Sequence, residues 1–237
     1  MKLNIALIGN KKNPFIYSLY KYLEKKNINI CKIFLENNNF SKKDFEIFKS
    51  RIDNSYKFNF VEKDVKLKKK QISINDINDL KTSKIIKKNN VDWLIQMGVN
   101  KLFTKKILSA PSKGVINAHP GLLPFFRGCC PVEWAILFNH DVFVTVYMMD
   151  LKIDKGKIIL KKKLIKKDKM SYKKLRTEVL KLKFLSIYES IIKIKKSNFN
   201  LRTLKKIDIK KGFYFKPINN HLLKLVKNKL KNNYLSK

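Results

Sequence analysis

Acidic residues, arginine, cysteine and long apolar runs are all scarce in this chain, and each scarcity removes a class of protein. No run of roughly 18 or more residues is continuously apolar, so the sequence predicts no membrane-spanning helix. The opening Met-Lys-Leu-Asn-Ile-Ala-Leu-Ile-Gly is a short apolar run without a small-residue cleavage site, and it reads as a first strand rather than a signal peptide. The cysteines are three, Cys31, Cys129 and Cys130. An odd count with an adjacent pair argues against a disulfide framework, and zinc-type spacing is absent. A reducing cytoplasm is the expected compartment, with Cys129 and Cys130 as small filler in a tight loop. Internal repeats and Ser/Gly-rich linkers are also missing. The 237 residues therefore suit one α/β domain with a small C-terminal addition.

The shortage of acidic groups leaves a formal net charge of +36. Such a charge suggests nucleic acid or a membrane surface. Yet only Arg51, Arg127, Arg176 and Arg202 among the 54 basic residues are arginine. A nucleic-acid surface more often holds clustered arginine forks with interleaved aromatics. Abundant Lys, Asn and Ile instead match AT-rich coding bias, with lysine filling solvated positions. Nucleic acid is thus not expected as the main partner, although the charge attracts anionic small molecules such as nucleotides.

What is present is an ordered alternation of apolar runs. Leu3–Ile8 ends at Gly9 as a buried strand does. Residues 14–26 carry Phe15, Leu19, Tyr22 and Leu23 at helical spacing, and Asn29–Phe34 is the next strand. The chain thus opens β-α-β, the start of a parallel sheet. Residues 36–70 are polar, with a helix over 42–49 and a strand over 58–61 as the readings there. Ile72 and Ile74 alternate with polar residues. Asp76–Asn89 predicts a helix with Ile77, Leu80, Ile85 and Ile86 inward, and Val91–Met97 a strand ending at Gly98. A helix from near Thr104 stops before Pro111, and Gly114–Asn117 is another strand. Pro131–Asn139 reads as a helix, with proline at its start where the missing N–H does no harm. Val142–Met149 and Lys157–Ile165 read as strands. Ser171–Lys195 is a long amphipathic helix drawing on Leu175, Val179, Leu182, Leu185, Ile187, Ile191 and Ile192. The expected fold class is α/β: a Rossmann-like, mostly parallel sheet flanked by helices. The main domain covers residues 1–200, and a lysine-rich extension covers 201–237. In that extension Gly212–Pro217 reads as an edge strand and His221–Leu230 as a short helix.

The stretch Ile-Asn-Ala-His-Pro-Gly-Leu-Leu-Pro-Phe-Phe-Arg-Gly-Cys-Cys-Pro-Val-Glu-Trp, residues 116–134, places Asn117 and His119 two residues apart at the end of an apolar run. Side chains at i and i+2 of a strand share a face, and the C-terminal edge of an open parallel sheet is where ligands bind. Pro120 restricts His119 to extended backbone, which favours this placement. An Asn amide donates to a developing oxyanion, and a His shuttles a proton or, when charged, stabilises the same oxygen. Asp154, in Met-Asp-Leu-Lys-Ile-Asp-Lys-Gly, is suited to orient the imidazole or hold a water.

This stretch resembles the 10-formyltetrahydrofolate-dependent formyltransferases. The shared wording is Asn117, His119-Pro120, Leu122-Leu123-Pro124, Phe126-Arg127-Gly128, Pro131 and Trp134-Ala135-Ile136. It continues through Val144-Thr145-Val146, Met149-Asp150 and Asp154-x-Gly156. The resemblance is strongest from about residue 91 to about 160, is weaker over 1–35, and implies that Asn117, His119 and Asp154 are the catalytic trio. It further implies a pterin pocket using Lys101, Leu102 and Phe103 and the loop that carries Asp150, Ile153 and Asp154. The implied reaction is direct formyl transfer to an amine without a metal, and homodimer formation stays open. Two departures are visible: the turn over 139–144 is one residue short, with Phe143 where glycine is usual, and Gly121 follows His-Pro where serine is common in the tRNA- and purine-directed branches.

Among acceptors, the resemblance favours a nucleotide-linked amino sugar, from Ile74-Asn75-Asp76, Val91-Asp92-Trp93 and the His-Pro-Gly-Leu-Leu-Pro wording. The chain is also shorter than expected for the complete second domain of tRNA-directed members. The purine-directed branch carries a phosphate-binding Gly-Asn-Gly-Ser-Asn turn. Here Gly9, Asn10 and Asn13 match it while Lys11 and Lys12 do not, so Gly9, Asn10, Asn13 and Arg127 are the candidate acceptor contacts. Losing the second glycine weakens such a cradle, because other residues resist its backbone geometry. A hydrolase releasing formate from the same folate would keep the trio and lack an acceptor pocket. A basic binding module would instead show steeply salt-dependent affinity for nucleic acid.

Overall fold

The computed structural model describes residues 3–37, 65–99, 101–165, 170–196 and 199–231. The helix and strand read over 42–49 and 58–61 lie outside them. Strand β1 (Ile5–Asn10) is buried along its whole length, as an apolar strand with both faces covered must be. Helix α1 (Pro14–Lys25) starts at Asn13, whose side chain accepts the Phe15 N–H, and proline occupies the first turn. It buries Phe15, Ile16, Leu19 and Leu23. Strand β2 (Ile30–Glu36) returns parallel to β1. The short helix α2 (Val65–Lys68) then leads to β3 (Gln71–Ile74), parallel to β2.

Helix α3 (Leu80–Lys88), strand β4 (Trp93–Met97), helix α4 (Lys105–Leu108) and strand β5 (Gly114–His119) follow. The predicted Asp76 start of α3 is corrected, because the Asp79 N–H bonds back to the Asp76 carbonyl and Asp79 itself caps the helix. Leu80 is 47% exposed rather than inward. At 3.6 residues per turn the buried side of α3 is set by Thr82, Ser83 and Ile86, and Leu80 points away from it.

After β5 come a loop, the short strand β6 (Phe126–Gly128), helix α5 (Pro131–Leu137), and strands β7 (Phe143–Met149) and β8 (Gly156–Lys163). The long helix α6 (Tyr172–Lys195) packs on β7, β8 and β5 and touches α1. It buries more than one stripe for this reason, whereas Ile192 stays exposed and Leu185 half-buried. Strand β9 (Phe213–Phe215) and helix α7 (Asn220–Lys231) complete the described chain.

The main sheet runs β3-β2-β1-β4-β5-β7-β8. Five strands are parallel, while β7 is antiparallel to β5 and β8 to β7. Strand order reverses between β1 and β4, which opens a crevice at their carboxyl ends. One apolar core gathers α1, α6 and the inner faces of β5 and β7, including Ile116, Ala118, Val144 and Val146. Alternation then sends Asn117, His119, Thr145 and Tyr147 to the other face. The C-terminal segment is tied to the same region. Strand β9 pairs parallel with β6, and the Ile207 N–H reaches the Gly156 carbonyl at 2.8 Å.

Candidate active site

The loop after β5 is folded back over the strand by Thr145. Its hydroxyl donates to the Gly121 carbonyl at 2.7 Å and accepts the Leu123 N–H at 3.2 Å. The turn brings the Phe126 carbonyl to 2.7 Å from His119 Nε2. A Cβ on Gly121 would lie 2.8 Å from that same nitrogen, so glycine is what permits the close passage.

Asp154 arrives from the loop between β7 and β8. Its Oδ1 is 3.3 Å from His119 Nδ1 and accepts the Tyr147 hydroxyl at 3.1 Å, while its Oδ2 accepts the Gly128 N–H at 2.7 Å. Both Asp154 and His119 are buried. Asn117 is half-buried and directly opposite Tyr147 in the antiparallel register. Its Nδ2 donates to the Tyr147 hydroxyl at 3.1 Å, and its Oδ1 accepts from Gln96 Nε2 at 2.9 Å. Asn117, His119 and Asp154 thus converge, joined by Tyr147 and Gln96, which the sequence motifs do not include. A lone amide in Trp-Leu-Ile-Gln-Met and a hydroxyl at an alternate position of β7 were the available signals.

Burial pulls the His119 imidazole below its ordinary range, against the attraction of the Asp154 carboxylate and the Phe126 carbonyl; the positive charges of Lys183 and Arg127 add to the depression. Burial likewise pushes the Tyr147 phenol up, so it remains a hydroxyl at neutral pH.

The other candidate contacts are dispersed. Lys101 Nζ lies 2.8 Å from Glu36 Oε1 and 2.8 Å from Asp76 Oδ2, ion pairs that lower the Asp76 carboxyl and raise the Lys101 ammonium. Phe103 is buried in the core with Ile107 and Val115, whereas Leu102 is 60% exposed. Asp150 is exposed and its side chain caps the Leu151 N–H. Arg127 NH2 donates to the Ile153 carbonyl at 3.2 Å, and its guanidinium lies over the Tyr214 ring at 6.0 Å. In the turn after β1 the backbone donors are already used. The Lys11 N–H bonds to the Glu36 carbonyl, Lys12 N–H to Asn10 Oδ1, Asn13 N–H to the Asn10 carbonyl and Phe15 N–H to Asn13 Oδ1. Gly9 belongs to β1 itself.

No helix among the described residues is long and apolar enough to cross a membrane. A methionyl-tRNA formyltransferase from Agathobacter rectalis is 40% identical over 78 residues, 32% of this chain and 25% of that protein. One from Thermodesulfovibrio yellowstonii is 32% identical over 114 residues, 48% of this chain and 37% of that protein. The matched stretches therefore span well under half of these relatives. Among solved structures, a sugar N-formyltransferase from Shewanella sp FDAARGOS_354 superposes with a TM-score of 0.58 at 16% identity, covering 92% of this chain and 78% of that one. A phosphoribosylglycinamide formyltransferase from Streptococcus pneumoniae TIGR4 superposes at 0.61 and 13% identity, covering 82% of this chain and all of that one (100%). At such identities the superpositions establish a shared fold. The formyl transferase family model matches residues 3–189, and the chain belongs to that family.

Proposed function

We propose that this chain transfers a formyl group from 10-formyltetrahydrofolate to a primary amine on a nucleotide-linked amino sugar. The observation that carries the reading is the convergence of Asn117, His119 and Asp154 on one face of β5 and β7. The bound folate supplies an activated formyl carbon with an amine leaving group. One hydrogen of Asn117 Nδ2 is held by Tyr147, leaving the other for the oxygen that becomes negative when the amine attacks. A single such donor is worth about 3–4 kcal/mol of barrier. His119 donates from Nε2 to the Phe126 carbonyl, so the amine proton is taken up at Nδ1, where the Asp154 carboxylate stabilises the resulting charge, and it passes to the folate nitrogen as the formyl C–N bond breaks.

The donor's ring needs apolar surface next to this face. Exposed Leu102 and Leu151 and half-buried Ile153 supply it, on the two loops the resemblance points to. Lys101 and Phe103 instead hold those loops, one through its ion pairs and the other through the core.

Two observations support an amino-sugar nucleotide. The occupied N–H groups of residues 11–13 and 15 leave little of the phosphate cradle a glycinamide ribonucleotide would need. Exposed Phe213 and Tyr214, joined to Arg127 through β6 and β9, offer flat rings and a cation to a nucleotide. The test is product detection with 10-formyltetrahydrofolate and four conditions: amino-sugar nucleotides, glycinamide ribonucleotide, charged initiator tRNA and no acceptor. Formylated amino sugar is the expected product. Formylation of either other acceptor would reassign the substrate, and formate without acceptor would indicate a hydrolase.

A further inference from the structure

We propose that Gln96 and Tyr147 are positioning residues that fix which end of the Asn117 amide faces the reacting carbonyl, through a one-way relay of hydrogen bonds crossing three strands to Asp154. The inference rests on the formyl-transfer reading and deepens it.

An asparagine side chain has two ends of similar shape and opposite hydrogen-bonding character. Only the NH2 end stabilises an oxyanion, so an unconstrained amide would spend part of its time turned the wrong way. Here the direction is dictated from a group that has no choice. The backbone N–H of Val99 only donates, and it donates to Gln96 Oε1 at 3.2 Å. The Gln96 NH2 therefore faces Asn117, and donates to its Oδ1 at 2.9 Å. Asn117 Nδ2 is then left facing Tyr147, whose oxygen accepts at 3.1 Å. With its lone pair engaged, the Tyr147 hydroxyl places its single hydrogen on Asp154 Oδ1, also at 3.1 Å. Asp154 Oδ2 accepts the Gly128 N–H at 2.7 Å, which secures the far end. Each link thus donates in one sense, from β4 through β5 and β7 to the carboxylate beside His119.

The burial of the relay agrees with this role. Tyr147 is 2% exposed, and an unpaired hydroxyl there would be costly. Its position directly across from Asn117 in the β5–β7 register makes the contact a property of the sheet.

Gln96→Glu separates direction from packing. It keeps the shape but replaces the NH2 with an acceptor, so the Asn117 amide is driven to turn. Gln96→Leu removes the constraint without reversing it. The expected order of kcat is wild type above Gln96→Leu above Gln96→Glu, with a loss of about 30-fold or more in the last and little change in KM for the folate. A packing role reverses the order of the two variants. Protonating the introduced carboxyl restores a donor toward Asn117 Oδ1, so the ratio of Gln96→Glu to wild-type kcat should rise as pH falls. Tyr147→Phe should lower kcat about tenfold. It should also move the acid limb of kcat/KM to higher pH, because Asp154 with one donor fewer holds the His119 proton more firmly.

A side-chain 15N spectrum of asparagine-labelled protein reads the same relay without turnover. The Asn117 NH2 signal should move in Gln96→Glu and in Tyr147→Phe while melting temperatures stay close to wild type. An unmoved signal, a pH-independent activity ratio, or variants within twofold of wild type would overturn the relay. A moved signal in a wild-type chain that transfers no formyl group would instead overturn the reaction that the relay is proposed to serve.

Discussion

His119 and Asp154 reach each other, Nδ1 to Oδ1 at 3.3 Å, from the end of one strand and from a loop beyond the next antiparallel strand. Neither is held by its own segment alone. Thr145 folds the loop that caps His119, and Tyr147 together with the Gly128 N–H holds Asp154. The consequences of this arrangement are open to measurement.

The buried imidazole should give the protein an acid-side weakness. A base whose folded pKa is depressed contributes stability that is present above its unfolded value of about 6.5 and is lost as pH falls toward the folded one. Thermal melts of wild type and His119→Gln between about pH 7 and 5 should diverge in slope, with the wild type losing more stability on acidification. Parallel slopes would show that His119 does not titrate as its burial requires. The same depression keeps the ring neutral for proton uptake at physiological pH.

Gly156 should prove irreplaceable for backbone reasons. Its φ is +138°, and a Cβ there would lie 1.8 Å from the Met148 carbonyl oxygen. Gly156→Ala should cost about 3 kcal/mol in a denaturant melt, and should reduce activity further by shifting the Asp154 loop. A cost below about 1 kcal/mol would mean that the loop relaxes freely.

Lys101→Met should destabilise by about 1–3 kcal/mol, because it leaves the buried Glu36 carboxylate without its cation. Adding Glu36→Gln should recover most of that loss. The double variant should keep its KM for the folate if Lys101 acts through the ion pairs, and raise it if Lys101 touches the folate directly.

The join between the C-terminal segment and the site should be visible in fluorescence. The Phe215 ring lies 5.0 Å from Trp134 and 5.6 Å from Phe126, centroid to centroid, and Trp134 Nε1 donates to the Lys216 carbonyl at 3.0 Å. Phe215→Ala should cost about 2 kcal/mol and shift Trp134 emission to the red as the indole becomes wetter. An unchanged spectrum would mean that β9 is not what shelters Trp134.

The strands of the parallel half were legible because strands covered on both faces are written as largely apolar runs: residues 5–8 and 93–95 are uninterrupted, and Gln96 is the polar break in β4. Asn117 and His119 were legible because a spacing of two puts both on one face. Leu80 was misplaced because it was grouped with Ile77 as one inward stripe; Asp79 caps the helix, so Ile77 lies before it, and the packed side is set by Thr82, Ser83 and Ile86. The engagement of Lys101 was hidden because its partners are distant in sequence: Glu36 ends β2, and Asp76 lies between β3 and α3. Tyr147 was passed over because an aromatic in a strand ordinarily signals packing. Only the register opposite Asn117 gives its hydroxyl a task.

The most direct test is formyl transfer by wild type and Asn117→Ala, assayed side by side with 10-formyltetrahydrofolate and an amino-sugar nucleotide. Asn117→Ala should lose about two orders of magnitude in turnover or more while its melting temperature barely moves. Turnover close to wild type in that variant would contradict the claim that the Asn117 amide meets the reacting oxygen.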